Sequence, residues 1–323
     1  MNDSRFQSAS FVLYKHEHSR HKHTHHPDLI IVPGADPGRF YVLHDRFHLG
    51  PNADMTIADY GTAALLGAVE GITEFLPVSS TGHLILLVDL LGFRGPPGRI
   101  FEVVIQLGAI IGVCWVYKDR LLLLGEDPFS PTSRHLLLLL LVGFLPAAVI
   151  GFAGHDFIKG VLFSPWVVSV ALVAGGVAII ILEKLLPAGQ LKALDEIPAA
   201  KAFQVGLFQA LAMIPGTSRS AATIMGGRVL GLSRGVAAEY SFLLAIPTML
   251  AASGYDLLKN AAQIDLEGAG LLVTGFVVAL VTAIVSVRWL VAFVSSHSFA
   301  GFGWYRIALG GLMLVFLFLQ SPT

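Results

Sequence analysis

Charge is scarce in this sequence. Asp, Glu, Lys and Arg make up 13% of its 323 residues, where soluble domains carry about 25%, and hydrophobic residues make up 54%. That balance excludes an ordinary soluble domain and points to an integral membrane protein. The formal net charge is −1, so no global field invites nucleic acid. The single cysteine, Cys114, lies in an apolar run, which leaves no disulfide framework and no cysteine-based metal site. Neither a GxxxxGK[ST] loop nor an H-E-x-x-H helix occurs, so P-loop and zincin chemistry have no anchor.

What is present divides near Met55. Residues 1–55 hold eight of the twelve histidines and show no apolar periodicity. Without an apolar stretch after a basic start they do not form a secretory signal, and they are expected to be a disordered or non-native extension. A His-rich tract of this kind binds metal opportunistically. The working protein is 56–323.

About 20 apolar residues cross a bilayer. Residues 57–75 and 80–92 are too short and are broken by Pro77 and serines, so they read as a re-entrant hairpin. Irregular backbone at that depth is tolerated only inside protein or against a wet cavity. Spans are expected at 101–117, 135–153 and 166–186. A second broken pair follows at 203–214 and 219–231, then spans at 236–258, 268–290 and 301–320. Gly67-Ala-Val-Glu70 resembles Gly206-Leu-Phe-Gln209, and Pro77-Val-Ser-Ser80 resembles Pro215-Gly-Thr-Ser218 with a one-residue slip between the two matches. The fold expected is therefore an all-α integral membrane protein of two inverted repeats, about 57–186 and 203–320, each a re-entrant helical hairpin plus three transmembrane helices. Loop bases set its orientation: Lys118, Arg120, Arg134, Lys184, Lys192, Lys201, Arg234 and Arg288 fall on one side, against Arg94, Arg99, Lys159 and Lys259 on the other. The first side is read as cytoplasmic.

Ionisable groups at bilayer depth are costly and mark function by default. Glu70 and Glu74, four apart, share a helix face, where they could hold a hard divalent cation, or one could act as general base; a hydrogen bond to their own broken hairpin is the structural alternative. After the proline, Ser79, Ser80, Thr81 and His83 offer helix caps and anion-binding amides. Ser80 and His83 at i, i+3 can face one point, as a nucleophile and its proton partner do. Arg219, among Thr217, Ser218 and Ser220, suits phosphate, or an ion pair with Glu70 or Glu74. Glu102 and Gln106 could line the cavity or bond between helices, and Glu239 is expected at an interface or beside a base.

EGITEFLPVSSTGH (70–83), FEVVIQLGAI (101–110), IPGTSRSAATI (214–224) and GLSRGVAAEYSFLLAIP (231–247) together resemble the undecaprenyl-diphosphate phosphatase, or bacitracin-resistance, family over essentially all of 56–323. The resemblance implies hydrolysis of the terminal phosphate of a polyprenyl diphosphate, recycling the cell-wall lipid carrier. It also implies a divalent cation such as Mg or Ca, and a multi-pass protein of the bacterial cytoplasmic membrane with its site open to the periplasm. By that match Glu70 and Glu74 are the first-motif glutamates, Ser80 the nucleophile, His83 its neighbouring histidine and Arg219 the diphosphate-binding arginine. Thr217, Ser218 and Ser220 then act as supporting donors. Attack by water or a phosphohistidine at His83 remain open. The expected partners are the lipid and the bilayer, with a homodimer as an open assembly. The rival class is a transporter or flippase of a lipid phosphate or small anion. Type-2 phosphatidic acid phosphatases need S-R-x5-H, and no histidine follows Ser218-Arg219 before His297.

Overall fold

The computed structural model describes residues 30–33, 40–43, 56–93, 100–157, 162, 164–259 and 268–320. The chain divides into Met1–Arg46 and Phe47–Thr323. In the first unit β1 (Ile30–Pro33) pairs antiparallel with β2 (Phe40–Leu43); the histidine tract lies outside the described residues. In the second unit the described elements are helices. Thr56 opens α1 (Ile57–Thr73) with a capping box: its hydroxyl accepts from the Asp59 N–H, and the Asp59 carboxylate accepts from the Thr56 N–H. The chain continues through α2 (Ser80–Leu91), α3 (Ile100–Val116), α4 (Lys118–Glu126), α5 (Pro131–Phe157) and α6 (Pro165–Leu185). A single 3-10 turn at Leu194–Glu196 leads to α7 (Ala199–Ala210), which a second 3-10 turn prolongs to Met213. The chain ends with α8 (Arg219–Val229), α9 (Arg234–Lys259), α10 (Ala269–Val294) and α11 (Ala300–Gln320).

Five of these helices, α5, α6, α9, α10 and α11, are long and apolar enough to cross a bilayer. The sixth expected span is α3, at 17 residues the short limit for a crossing. The chain then bends by 74° into α4, a helix the apolar count does not foresee because LLLL lies between charged ends. Outward side chains of these helices are apolar: Leu141 and Val273 are each 61% exposed and Leu319 is 81% exposed. In water that pattern would be an aggregation surface; in hydrocarbon it is the correct face.

Without a hydrophobic force between helices in lipid, small residues that admit close backbone contact hold the bundle. Gly67 and Gly71 of α1 lie against the Gly275 and Ala279 carbonyls of α10, and Gly206 of α7 lies against the Gly143 carbonyl of α5; a Cβ at any of the three would collide. Gly175 and Gly176 of α6 give similar access to Arg306 and the Gly303 carbonyl of α11. The main core joins Phe75 at the first hairpin tip to Ile224 of α8 and Phe242 of α9, so both broken pairs are sealed by the same apolar mass.

Candidate active site

Each broken pair turns on a serine. After Thr73 the chain passes through a turn to Ser79, with φ +72°, and α2 starts at the next residue. In the second pair Ser218, with φ +70°, precedes α8. Both serines cap the helix they introduce: the Ser79 hydroxyl accepts from the Gly82 N–H at 3.4 Å and the Ser218 hydroxyl from the Ala221 N–H at 3.2 Å. A left-handed conformation without glycine costs about 1–3 kcal/mol and persists where surroundings impose it, commonly at functional sites. The tips touch, the Ser220 hydroxyl donating to the Leu76 carbonyl at 2.8 Å.

Beside this contact lies a cavity of about 700 Å³. Its polar wall comes from both tips, with Glu74, Ser79, Ser80 and Thr81 from one and Ser218 and Arg219 from the other. Gln106, Gln209 and Thr248 extend that wall, and Phe144, Ala147 and Phe152 of α5 face α9 across the apolar part. Glu74 is the hub. Its Oε2 accepts from the Ser80 hydroxyl at 2.5 Å and its Oε1 lies 3.3 Å from Arg219 Nη2. The other arm of the guanidinium, Nη1, donates to the Ser241 carbonyl at 3.0 Å, and its carbon lies 5.5 Å from the Phe75 ring centre.

Two buried polar atoms in this cluster lack a protein partner, Glu70 Oε2 and Arg219 Nε. Buried polar groups in native structures are nearly always satisfied, and here an unpaired acceptor and an unpaired donor flank one ion pair.

The expected residues do not all converge. Ser79, Ser80, Thr81, Glu74, Ser218 and Arg219 line the cavity; Glu70 is buried behind it, and Ser220 is spent on the tip contact. Thr217 is outside the cavity wall and gives its carbonyl to Arg306. His83 turns away from Ser80. Its Nδ1 is 2.7 Å from the Ser79 carbonyl and its Nε2 is 2.6 Å from the Tyr305 hydroxyl, with the rings stacked at 5.6 Å. A carbonyl only accepts, so Nδ1 carries the proton and Nε2 accepts from the tyrosine. Ser80 and His83 thus have separate partners, the serine's being Glu74, six residues away around the turn. Gln106 does both things expected of it, lining the cavity and accepting from Ser253 at 3.0 Å. Glu239 pairs with Arg120 at 2.9 Å.

Two residues escaped the sequence reading. Ser241, in the middle of an apolar helix, fixes Arg219 and also lies 2.6 Å from the Thr223 hydroxyl. Arg306 is fully buried in α11; a lone arginine inside an expected span was signal enough to raise it.

Fold and site together define a polytopic helical membrane protein with a carboxylate–serine–arginine pocket made by two broken hairpins. The chain belongs to the family described as Bacitracin resistance protein BacA, whose pattern matches residues 63–312. It is similar to "Undecaprenyl-diphosphatase 2" of Paramagnetospirillum magneticum, with 50% identity over 258 residues covering 80% of this chain and 99% of that one. It is also similar to "Undecaprenyl-diphosphatase" of Parvibaculum lavamentivorans, 46% identical over 80% of this chain and 97% of the relative. The protein of the same name from Acinetobacter baumannii is 48% identical over 78% and 94%.

Proposed function

We propose that the chain is an undecaprenyl-diphosphatase, removing the terminal phosphate of a polyprenyl diphosphate and returning the monophosphate carrier to cell-wall synthesis. One observation carries the reading: Glu74 on one hairpin holds the Ser80 hydroxyl at 2.5 Å and meets Arg219 of the other hairpin at 3.3 Å, in the wall of one cavity. Phosphoryl transfer asks mainly for positioning and for charge to offset the equatorial oxygens. Arg219 and the free amides at the start of α2 and α8 bind the diphosphate. Glu74 takes the Ser80 proton, the serine oxygen attacks the terminal phosphorus, and the bond to the bridging oxygen breaks, releasing the lipid monophosphate. Water then cleaves the phosphoserine to give inorganic phosphate. His83, off the cavity wall, leaves Ser80 or water as the attacking group ahead of a phosphohistidine.

A divalent cation, Mg or Ca, belongs to this proposal. Among the described residues no three His, Cys, Asp or Glu side chains gather as a metal site. Magnesium commonly takes only one or two carboxylates and completes its shell with phosphate oxygens and water, and Glu74 with the unpaired Glu70 oxygen fits that demand. Bound there, the ion would neutralise charge on the diphosphate.

The inverted repeat is supported by like parts at one interval. The same spacing separates Gly67 from Gly206, Glu70 from Gln209, and Ser79 from Ser218, and the last pair share φ and capping. The tips thus match with no slip, Ser79 rather than Ser80 answering to Ser218. Partners exchange accordingly: α1 packs on α10 through Gly67 as α7 packs on α5 through Gly206. Orientation in the cytoplasmic membrane, with the cavity opening outward, is supported by the bases. Arg120 meets Glu239, Arg234 meets Glu183 at 2.8 Å, and Lys201 reaches the Leu230 carbonyl, all at one end of the bundle. Phe152 and Asp256, at the far ends of α5 and α9, line the cavity.

The test is phosphate release from undecaprenyl diphosphate in detergent, wild type beside Arg219→Ala. Gradient-free release by wild type, falling by about 100-fold or more in the variant, is expected. Silence in detergent with transport in vesicles would install the carrier instead.

A further inference from the structure

Arg306 is 0% exposed, and no carboxylate stands against it among the described residues' ion pairs. It faces backbone carbonyls. Nη1 donates to Pro77 at 3.3 Å and Thr217 at 2.8 Å, Nη2 to Gly216 at 2.9 Å and Ala171 at 3.2 Å, and Nε to Leu172 at 3.3 Å. One guanidinium on α11 therefore spans the first hairpin tip, the second hairpin tip and α6. A planar fork with five donors can do this; an ammonium, with three donors at one point, cannot cover the same set. Room for the fork is made by Gly175, where a Cβ would collide with Nη2.

The clamp has a consequence for the cavity. In a planar trans peptide the C=O and N–H point in opposite directions. With the Thr217 carbonyl fixed on Arg306, the Ser218 N–H must point away from it, and Ser218 lines the cavity. Val78 and Ser79 lead directly from the clamped Pro77 carbonyl to Ser80.

We propose that Arg306 is a positioning residue: by holding the carbonyls of both tips it sets Ser80 and Glu74 of one hairpin in register with Arg219 and the Ser218 amide of the other. The kinetic part rests on the phosphatase reading. Arg306 touches neither lipid nor phosphate, so its loss acts through alignment, where a displacement of about 1 Å can cost about 100-fold in rate.

The experiment uses the full chain in detergent, comparing wild type, Arg306→Lys and Gly175→Ala, the latter displacing the guanidinium while keeping its charge. Protein that elutes as a single species and retains its helical circular dichroism is assayed for phosphate release. Expected is a fall in kcat of about 100-fold in Arg306→Lys and about 10-fold in Gly175→Ala, with KM within about threefold because the bound ground state is little changed. A kcat within twofold of wild type in both folded variants overturns the proposal. Amide hydrogen exchange gives a readout independent of turnover. Faster exchange at 76–80 and 215–220 together, with α3 and α9 unchanged, supports the clamp, while unchanged exchange at either tip overturns it. A wild type that releases no phosphate would fail the phosphatase reading alone, and the exchange result would then decide the clamp.

Discussion

Glu74 sits where three demands meet: it accepts from Ser80, faces Arg219 and lies in the cavity wall. Replacing it with glutamine keeps the shape and removes the base, so kcat is expected to fall by about 100-fold to 10,000-fold in the phosphate-release assay. Ser80→Ala should fall comparably, and near-normal turnover there would make water the attacking group. The strained serines allow a cleaner stability test. Ser218→Gly relieves a φ of +70° while giving up little as a cap, so thermal unfolding in detergent should show a gain of about 1 kcal/mol even as activity drops. His83 tests the opposite way. With both ring nitrogens engaged by Ser79 and Tyr305, Tyr305→Phe should cost about 1 kcal/mol in stability and leave kcat within about threefold. A pH profile that moves with this substitution would return His83 to the chemistry.

Among elements, the two broken hairpins were the most legible part of the chain, because proline and clustered hydroxyls interrupting apolar sequence have few other physical excuses. Boundaries were less so: α5 begins at Pro131 and α7 at Ala199, each four residues before the apolar run that announced it, since polar residues extend a helix past the hydrocarbon. The helix α4 was missed for want of length. Pro77 and Pro215 suggest a one-residue slip, whereas the left-handed serines Ser79 and Ser218 keep the interval that separates Gly67 from Gly206. Site legibility divides the same way. Glu74, Ser80 and Arg219 betrayed themselves as polar groups in apolar sequence, whereas the partnership of His83 with Tyr305 joins residues 222 apart and only packing reveals it. Close glycines are the elements' weak points. Gly206→Leu would drive a side chain into the Gly143 carbonyl and Pro146, and a loss of about 1–3 kcal/mol in thermal unfolding is expected.

At the scale of the whole molecule, the paired bases Arg120 and Arg234 lie at one end of the bundle, and the cavity lining reaches Phe152 and Asp256 toward the other, which makes sidedness measurable. In a background with Cys114 replaced by alanine, Phe152→Cys, whose native side chain is 86% exposed, should react with a membrane-impermeant maleimide on intact spheroplasts. A cysteine in place of Leu122 on α4 should react only after lysis. The reverse pattern would turn the protein over in the membrane.

The pairing of Arg219 with Glu74 also shapes what the pocket admits. An arginine that already has an anion tethered beside it presents little net attraction, so a guest must displace a rival that never diffuses away. Free orthophosphate, with modest charge and no lipid tail to hold it in the membrane, competes poorly against such a resident. A lipid diphosphate brings two phosphates to the arginine and is held beside it by its tail in the bilayer. Added orthophosphate is therefore expected to inhibit only weakly, as formation of the lipid monophosphate in its presence would show.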